Sequence, residues 1–146
     1  MKRRTLLLGA ATGLAIQLAP NVYSKELKKT LSLFYGEEKI SEGRVHLNTP
    51  PLAENGNSVS LVVEVDSPMT ENDYVQEIRI FADKNPVPNL ASFRFFPASG
   101  KAKISTRIRL SNSQIITAVA RMNDGTLWSG TSETIVTLAA CVEPLL

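Results

Sequence analysis

Alternating polar and apolar positions run through most of the chain after residue 43, and this two-residue period predicts short β-strands. In AKISTRIRL at 102–110, Ile104, Thr106 and Ile108 face one way and the residues between them face the other. Turn-forming residues separate the strands: ENGN at 54–57, where Asn and Gly tolerate positive φ, and NDG at 123–125. The predicted strands are 44–47, 58–65, 75–82, 91–96, 102–110, 113–121, 127–130 and 133–138.

One helical pattern precedes the strands. Leu27, Leu31 and Phe34 recur at the spacing of a single helix face, so Lys25–Tyr35 is predicted to form a short amphipathic helix with a lysine-rich outer face. A disordered leader is the alternative, because isolated helices of this length are marginal in water.

About eight short strands recur about every ten to twelve residues with no helix between them. This spacing predicts an all-β fold, an immunoglobulin-like antiparallel β-sandwich with a short N-terminal helix and a mobile C-terminal tail. The predicted organisation is a signal peptide at 1–24, a β-sandwich domain at 25–138 and a C-terminal cysteine arm at 139–146.

The beginning of the chain has the pattern of an export signal. Three basic residues at 2–4 precede the apolar run TLLLGAATGLAIQLA, which suits a signal-peptide core and is short for a membrane span. The adjacent arginines followed by leucines fit the twin-arginine pattern. We therefore predict a periplasmic protein, cut after Ser24, with no stable membrane anchor. An uncleaved anchor is the less favoured alternative, because no second hydrophobic segment follows.

Removing this signal changes the charge balance. The chain has 16 Lys and Arg against 14 Asp and Glu, for a net charge of +2. Three of the basic residues lie in the signal, which leaves 13 against 14 and a net charge of −1. The basic character belongs to the signal, so the sequence predicts no nucleic-acid partner.

The sequence contains few groups that could perform catalysis. It has one histidine and one cysteine, no zinc-ligand cluster, no phosphate-binding glycine loop and no nucleophile elbow. We therefore predict no enzyme, no cofactor and no metal site. His46 is interpreted as a surface or hydrogen-bonded structural residue. The carboxylates between two predicted strands match no calcium motif, so a solvated connection is favoured for Asp66, Glu71, Asp73 and Glu77.

Arg107 and Arg109 lie on one face of one predicted strand and could hold an anion, although a solvated sheet face is the favoured interpretation. Trp128 is expected to pack in the core or an interface.

Cys141 is notable for its position, since it directly follows the last predicted strand. A lone cysteine in an exported protein indicates a reactive thiol or an intermolecular disulfide. It could also pack as a small apolar residue at the end of the sandwich. The neighbouring Glu143 disfavours the thiolate, so any activation of Cys141 must come from a partner.

Several stretches together resemble the SoxY family of sulfur-oxidation carrier proteins. They are PPLAENGNSVSLVVEVDSPMTENDYV, IRIFADKNPVPNLASF, ISTRIRL followed by SNSQIITAVARMNDG, and the terminal IVTLAAC. The resemblance implies a periplasmic carrier, not an enzyme, in which Cys141 is the covalent attachment point for thiosulfate-derived sulfur. It also implies a heterodimer with a SoxZ-like small β-sandwich protein. The implied enzyme partners are a c-type haem enzyme that loads the cysteine, a dimanganese hydrolase that releases sulfate and a sulfur dehydrogenase.

The chain departs from the family pattern at the arm. Family members have Gly-Gly before and after the cysteine, whereas here Ala139 and Ala140 precede Cys141 and VEPLL follows it. Alanine restricts the backbone where glycine does not. The alternative hypothesis is therefore a diverged non-carrier paralogue that acts only as a protein-interaction subunit or as a disulfide-linked dimer.

Overall fold

The computed structural model describes residues 23–140. This part of the chain contains one α-helix, α1, at Lys25–Tyr35 and a short 3-10 helix at Pro97–Ser99. Its strands are β1 (Ile40–Glu42), β2 (Val45–Asn48), β3 (Leu52–Asn55), β4 (Val59–Val65), β5 (Val75–Ala82), β6 (Asn89–Arg94), β7 (Lys103–Ile108), β8 (Gln114–Met122) and β9 (Leu127–Leu138).

Two sheets face each other across one core. The larger sheet has the order β1-β9-β8-β5-β6, with β3 also paired to β9, and the smaller sheet has the order β2-β4-β7. Alternate residues of both sheets point inward, as the two-residue period predicts. The prediction of an all-β, immunoglobulin-like sandwich with one short helix is confirmed. The fully buried centre includes Leu61, Val63, Ile78, Ile80 and Ile116.

Helix α1 lies on the outer face of the larger sheet and has the predicted bounds. Its buried residues are Leu27, Leu31 and Tyr35, which form a second apolar cluster with Phe81, Val119 and Leu127. Phe34, predicted to share this face, is 39% exposed and lies against the ring of Phe81, with ring centroids 5.6 Å apart. No helix within residues 23–140 is long and apolar enough to span a bilayer.

Strand β9 is a single strand, so the predicted break between 130 and 133 is wrong. Strand β8 pairs with β9 continuously from Gln114↔Thr134 to Arg121↔Leu127. These backbone hydrogen bonds keep β9 extended through its polar middle residues, where the hydrophobic pattern is interrupted. Gly130 is needed there because the carbonyl of Val45 lies against it, and a Cβ atom would overlap that oxygen.

Two short strands were not predicted. Strands β1 and β3 pair with β9 in parallel, with the registers Ile40↔Leu127 and Leu52↔Ile135. They are three and four residues long, too short for a hydrophobic period to identify them. The remaining pairings are antiparallel, as predicted.

Candidate functional site

The end of the sandwich where β9 finishes is the part of the described chain nearest in sequence to Cys141. Cys141 itself and the rest of the tail lie outside the described residues. Beyond Leu138 the backbone continues along the body, and Ala140 is 1% exposed. The backbone N–H of Ala140 donates to the carbonyl of Leu110 at 3.0 Å. The residue that precedes the cysteine is therefore packed against the body.

Gly56 is hydrogen-bonded both to the end of β9 and to Leu110, the residue that accepts from Ala140. Its N–H donates to the carbonyl of Leu138 at 2.8 Å, and its own carbonyl accepts from the N–H of Leu110 at 2.8 Å. A Cβ atom on Gly56 would overlap the carbonyl oxygen of Leu110 and would lie 2.9 Å from the nitrogen of Ala140. We call Gly56, Leu110 and Ala140 the arm seat.

The reason for Gly56 differs from the one that the sequence indicated. The turn at 54–57 was predicted from the tolerance of Asn and Gly for positive φ, but Gly56 is not among the positive-φ glycines. Its lack of a side chain instead permits the close approach of three backbone segments. Periodicity and turn signals are local, so they could not identify a contact between residues 56, 110 and 140.

A network of buried polar side chains fixes the backbone around Leu110 in the arm seat. The Gln114 side chain is 3% exposed, and its amide donates to the Oδ1 of Asn85 at 2.9 Å. The Asn85 amide in turn donates to the carbonyl of Arg109 at 2.7 Å, while its Oδ1 accepts from the N–H of Ser111 at 3.0 Å. Asn85 thus fixes the backbone on both sides of Leu110 and ties it to the proline-rich loop before β6.

Strand β9, which leads into the arm, is also held by hydrogen bonds to the β7–β8 connection. The N–H of Val136 donates to the Oγ of Ser113 at 2.8 Å, and the ammonium of Lys84 donates to the carbonyl of Ser113 at 2.8 Å. The end of β9 is therefore bonded to the β7–β8 connection through Val136 and Ser113, and Lys84 bonds the same connection from the β5–β6 loop.

The other candidate side chains do not converge on the arm seat. His46 is exposed and hydrogen-bonded to Asp66 at 2.7 Å, in agreement with a structural role. Asp73 pairs with Arg44, and Glu77 pairs with Arg79. Between residues 23 and 140 there is no group of three or more His, Cys, Asp or Glu side chains that could hold a metal ion. 

Arg107 and Arg109 lie at the edge of the smaller sheet. The Arg107 guanidinium donates to the Oγ of Ser58 at 3.1 Å, and both arginines line a groove of about 270 Å³ beside β6. Trp128 is partly buried against the core, as expected, and its indole N–H donates to the Oγ1 of Thr126 at 3.2 Å.

Perturbed titratable groups also lie away from the arm seat. Burial raises the pKa of Tyr35 far above its ordinary value, while the hydrogen bond from Lys103 lowers the pKa of Glu64. 

This geometry defines a small all-β domain in which the residue before the single cysteine of the sequence is hydrogen-bonded to the body. Residues 23–140 contain no metal-ligand cluster. The sequence model for "Sulfur oxidation protein SoxY" matches residues 31–141, and its match ends at Cys141. The chain belongs to the SoxY family of sulfur oxidation proteins.

Solved structures agree with this assignment. The sulfur carrier protein SoxY from Chlorobium limicola f thiosulfatophilum is similar over 77% of this chain and 97% of its own, with 27% identity and a TM-score of 0.65. A superoxide reductase (neelaredoxin) from Ignicoccus hospitalis is similar over 64% of this chain and 80% of its own, with 17% identity and a TM-score of 0.57. The second likeness concerns the fold alone. A comparison with curated protein sequences gave no significant match.

Proposed function

We propose that this protein is a periplasmic carrier that holds thiosulfate-derived sulfur intermediates covalently on Cys141 during sulfur oxidation. The observation that carries the proposal is the family match, which covers the sandwich and ends at Cys141, the single cysteine of the chain. That cysteine follows the residue packed in the arm seat, at one end of the domain. A carrier needs its attachment point at such an end, where a partner enzyme can approach it.

The loading step joins the terminal sulfur of thiosulfate to the Sγ atom of Cys141. An S–S bond forms, the thiol proton is released, and two electrons pass to the c-type haem enzyme that loads the carrier. The product is a cysteine S-thiosulfonate. Hydrolysis by the dimanganese partner then breaks the bond between sulfur and the sulfonate group. Water supplies the oxygen of sulfate and a proton to the persulfide that stays on Cys141, and one further proton is released.

The role of the sandwich in this chemistry is to keep the sulfur intermediate attached to the protein. Near the arm seat, the ammonium of Lys84 makes a structural contact, because it donates to the carbonyl of Ser113. A sulfur intermediate bonded to the protein is presented to successive enzymes at a high effective concentration, which a freely diffusing intermediate lacks. Persulfides and sulfonates on cysteine also suit an oxidising compartment.

The partners and location form part of the proposal. The carrier works as a heterodimer with a SoxZ-like β-sandwich protein and is acted on by the loading enzyme, the sulfate-releasing hydrolase and a sulfur dehydrogenase. Export uses the twin-arginine signal at 1–24, with cleavage near Ser24. The basic n-region and the short apolar run support this assignment.

Intact-mass measurement tests the carrier function. Protein isolated from thiosulfate-grown cells should carry mass additions of sulfur and of sulfonate, and a reductant should remove them. Cys141→Ser should abolish both the additions and thiosulfate-dependent growth. Ala139→Ser adds a hydroxyl two residues away, in a half-buried position, and should leave both intact. Unmodified Cys141 under every such condition would contradict the proposal.

A second candidate function follows from the alanines and the VEPLL sequence around Cys141, which replace the family's glycines. In this case the protein is a non-carrier interaction subunit, or a dimer linked through Cys141. Non-reducing electrophoresis distinguishes the linked dimer, since the band should disappear with reductant and in Cys141→Ser. Growth on thiosulfate that survives Cys141→Ser would favour the interaction subunit.

A further inference from the structure

We propose that the free edge of β7 is a docking site for an extended segment of a partner protein in which apolar and acidic residues alternate. The segment adds a strand to the smaller sheet and covers the open side of the sandwich between β6 and β7. The inference concerns a surface of the β-sandwich and does not depend on the carrier function proposed above.

The sandwich is closed on one side and open on the other. On the closed side, the carbonyl of Val45 in β2 lies against Gly130 of β9. On the open side, β6 and β7 are the last strands of their sheets, and a groove of about 270 Å³ lies between them. Ala91 and Phe93 of β6 pair with fully buried residues of β5, yet they are themselves only partly buried. The apolar core is therefore incompletely covered along this groove.

The hydrogen bonds between β4 and β7 show which backbone groups of β7 are free. The N–H of Val65 donates to the carbonyl of Ala102 at 2.9 Å, and the two strands continue in antiparallel register from there. Hydrogen-bonded pairs alternate along such a ladder, so every second residue from Ala102 onward bonds to β4. The N–H and carbonyl groups that point away from β4 belong to Lys103, Ser105 and Arg107. No other backbone segment among residues 23–140 bonds to these outward groups.

This free edge has a defined length. At one end the carbonyl of Arg109 accepts from the Asn85 amide at 2.7 Å, and at the other end the chain enters from the 3-10 helix at Pro97–Ser99. Residues 103–107 lie between these ends and span about 14 Å, at about 3.4 Å per residue. A docked strand can therefore pair with about five residues of β7.

The side chains beside the free edge are mainly basic. Lys101 and Lys103 share the carboxylate of Glu64 on β4, at 3.7 Å and 3.1 Å. Arg107 donates to the neutral hydroxyl of Ser58, at 3.1 Å. Three basic groups thus lie near one carboxylate, and the residues that line the groove include no acidic side chain. A partner strand with acidic residues on its outer face would match this charge.

The same charges disfavour a second copy of this chain as the occupant. Opposite charges on directly paired residues stabilise two strands, whereas like charges destabilise them. If two copies of β7 paired in antiparallel about Ser105, Lys103 of each copy would lie opposite Arg107 of the other. An added strand with acidic outward residues instead forms favourable pairs with both, and its inward apolar residues cover Ala91 and Phe93.

Amide hydrogen exchange of the full chain, followed by NMR, tests the proposal. The probe is a capped heptapeptide in which valine and glutamate alternate, and the matched probe has lysine in place of each glutamate. At about ten times its Kd, the glutamate peptide should slow the exchange of the three outward amides of β7 by about tenfold. The intervening amides are already bonded to β4, so their exchange should change little. The lysine peptide should bind more weakly by on the order of tenfold, because it reverses two charge pairs.

Charge reversal provides matched variants. Lys103→Glu combined with Arg107→Glu should exchange the preference, so that the lysine peptide binds more tightly than the glutamate peptide. Lys28→Glu combined with Lys29→Glu makes the same change in net charge at exposed positions of α1 and should leave the preference unchanged.

A proline variant tests the backbone pairing. Ser105→Pro removes the central outward N–H at an edge position, where proline is tolerated because the N–H bonds to no neighbouring strand. It should weaken binding of the glutamate peptide by about fivefold, the effect of one lost hydrogen bond.

Three results would overturn the proposal. The first is no binding of either peptide, which would mean that the basic residues only protect the edge from self-association. The second is equal affinity of the wild type for the two peptides, or binding that leaves the outward amides unprotected. The third is protection that develops without peptide as the protein concentration rises, because a second copy would then occupy the edge. The comparison of the two peptides on the wild type needs no variant, so it is decisive even if a variant fails to fold.

Discussion

The Gln114 side-chain amide donates to the Oδ1 of Asn85 at 2.9 Å, and both side chains are buried at the end of the sandwich that bears the arm. The Gln114 side-chain oxygen also accepts from the backbone N–H of Lys84 at 3.0 Å. One glutamine therefore joins the β5–β6 loop to the start of β8. Asn85 extends this connection to the backbone around Leu110, and through it to the arm seat.

Replacing this glutamine should destabilise the protein. Gln114→Leu keeps a similar volume but leaves the Lys84 N–H and one acceptor position of Asn85 without a partner inside the protein. We expect a loss of about 2–3 kcal/mol in the free energy of unfolding, measured by urea denaturation. The matched control is Gln76→Leu on β5, where the side chain is exposed, and it should change stability by less than about 0.5 kcal/mol. Equal effects of the two substitutions would refute the role of the network.

The sequence predicted the β-sandwich because its strands alternate clearly, as in β7, where Ile104 and Ile108 are buried and Ser105 and Arg107 are exposed. Helix α1 was predicted for the same reason, since the spacing of Leu27 and Leu31 is a local property. The arm seat was not predicted. Its members are far apart in the chain, and all three of its hydrogen bonds join backbone atoms, which leave no pattern in side-chain type.

The close approach at Gly56 gives a second stability prediction. Gly56→Ala would place a methyl group against the Leu110 carbonyl and near the Ala140 nitrogen, so one of these backbone segments must move. We expect a loss of about 1–3 kcal/mol in the free energy of unfolding. Asn57→Ala, at the exposed neighbouring position, is the control. An unchanged urea midpoint for Gly56→Ala would mean that the three segments do not meet as the structure describes.

The N-terminal cap of helix α1 gives a third stability prediction. The Ser24 side chain accepts from the N–H of Leu27 at 3.0 Å and also donates to Asp83. Ser24→Ala should therefore lower the free energy of unfolding by about 1 kcal/mol. Ser32→Ala is the matched control in the same helix, because the Ser32 hydroxyl is exposed and bonds only to the Lys29 carbonyl, and it should cost much less. Thermal unfolding of protein purified with residues 1–24 retained provides the measurement.

The position of signal cleavage decides whether the exported protein keeps the Ser24 cap. The Tyr23 hydroxyl lies 2.6 Å from the Ser129 Oγ, so both Tyr23 and Ser24 contact the folded domain. The sequence favours cleavage after Ser24, and such a cut would remove the cap and this hydroxyl pair. If the exported protein begins at Lys25, its unfolding temperature should be lower than that of a chain that begins at Tyr23. N-terminal sequencing of the periplasmic protein, followed by thermal unfolding of both forms, checks this expectation.

Stability at alkaline pH should depend on Tyr35. Burial is the main cause that raises its pKa above the ordinary value of 10.0, and Glu77 adds to this, while Arg79 and Arg121 act in the opposite direction. The folded state therefore favours the neutral phenol. Below about pH 10 the phenol is neutral in both the folded and the unfolded state, so Tyr35 does not lower the free energy of unfolding there. Above that pH the unfolded chain loses the proton first, and the free energy of unfolding should fall by up to about 1.4 kcal/mol per pH unit.

Tyr35→Phe should remove this part of the decline, because phenylalanine keeps the buried ring but has no proton to lose. Urea denaturation between pH 8 and about pH 11 should give converging curves at the lower end and a shallower slope for the variant at the upper end. Tyr23→Phe is the comparison, since burial also raises the pKa of Tyr23 but its hydrogen bond to Ser129 acts against that change. Parallel curves for the wild type and Tyr35→Phe over the whole range would show that the Tyr35 hydroxyl is solvated in the folded protein.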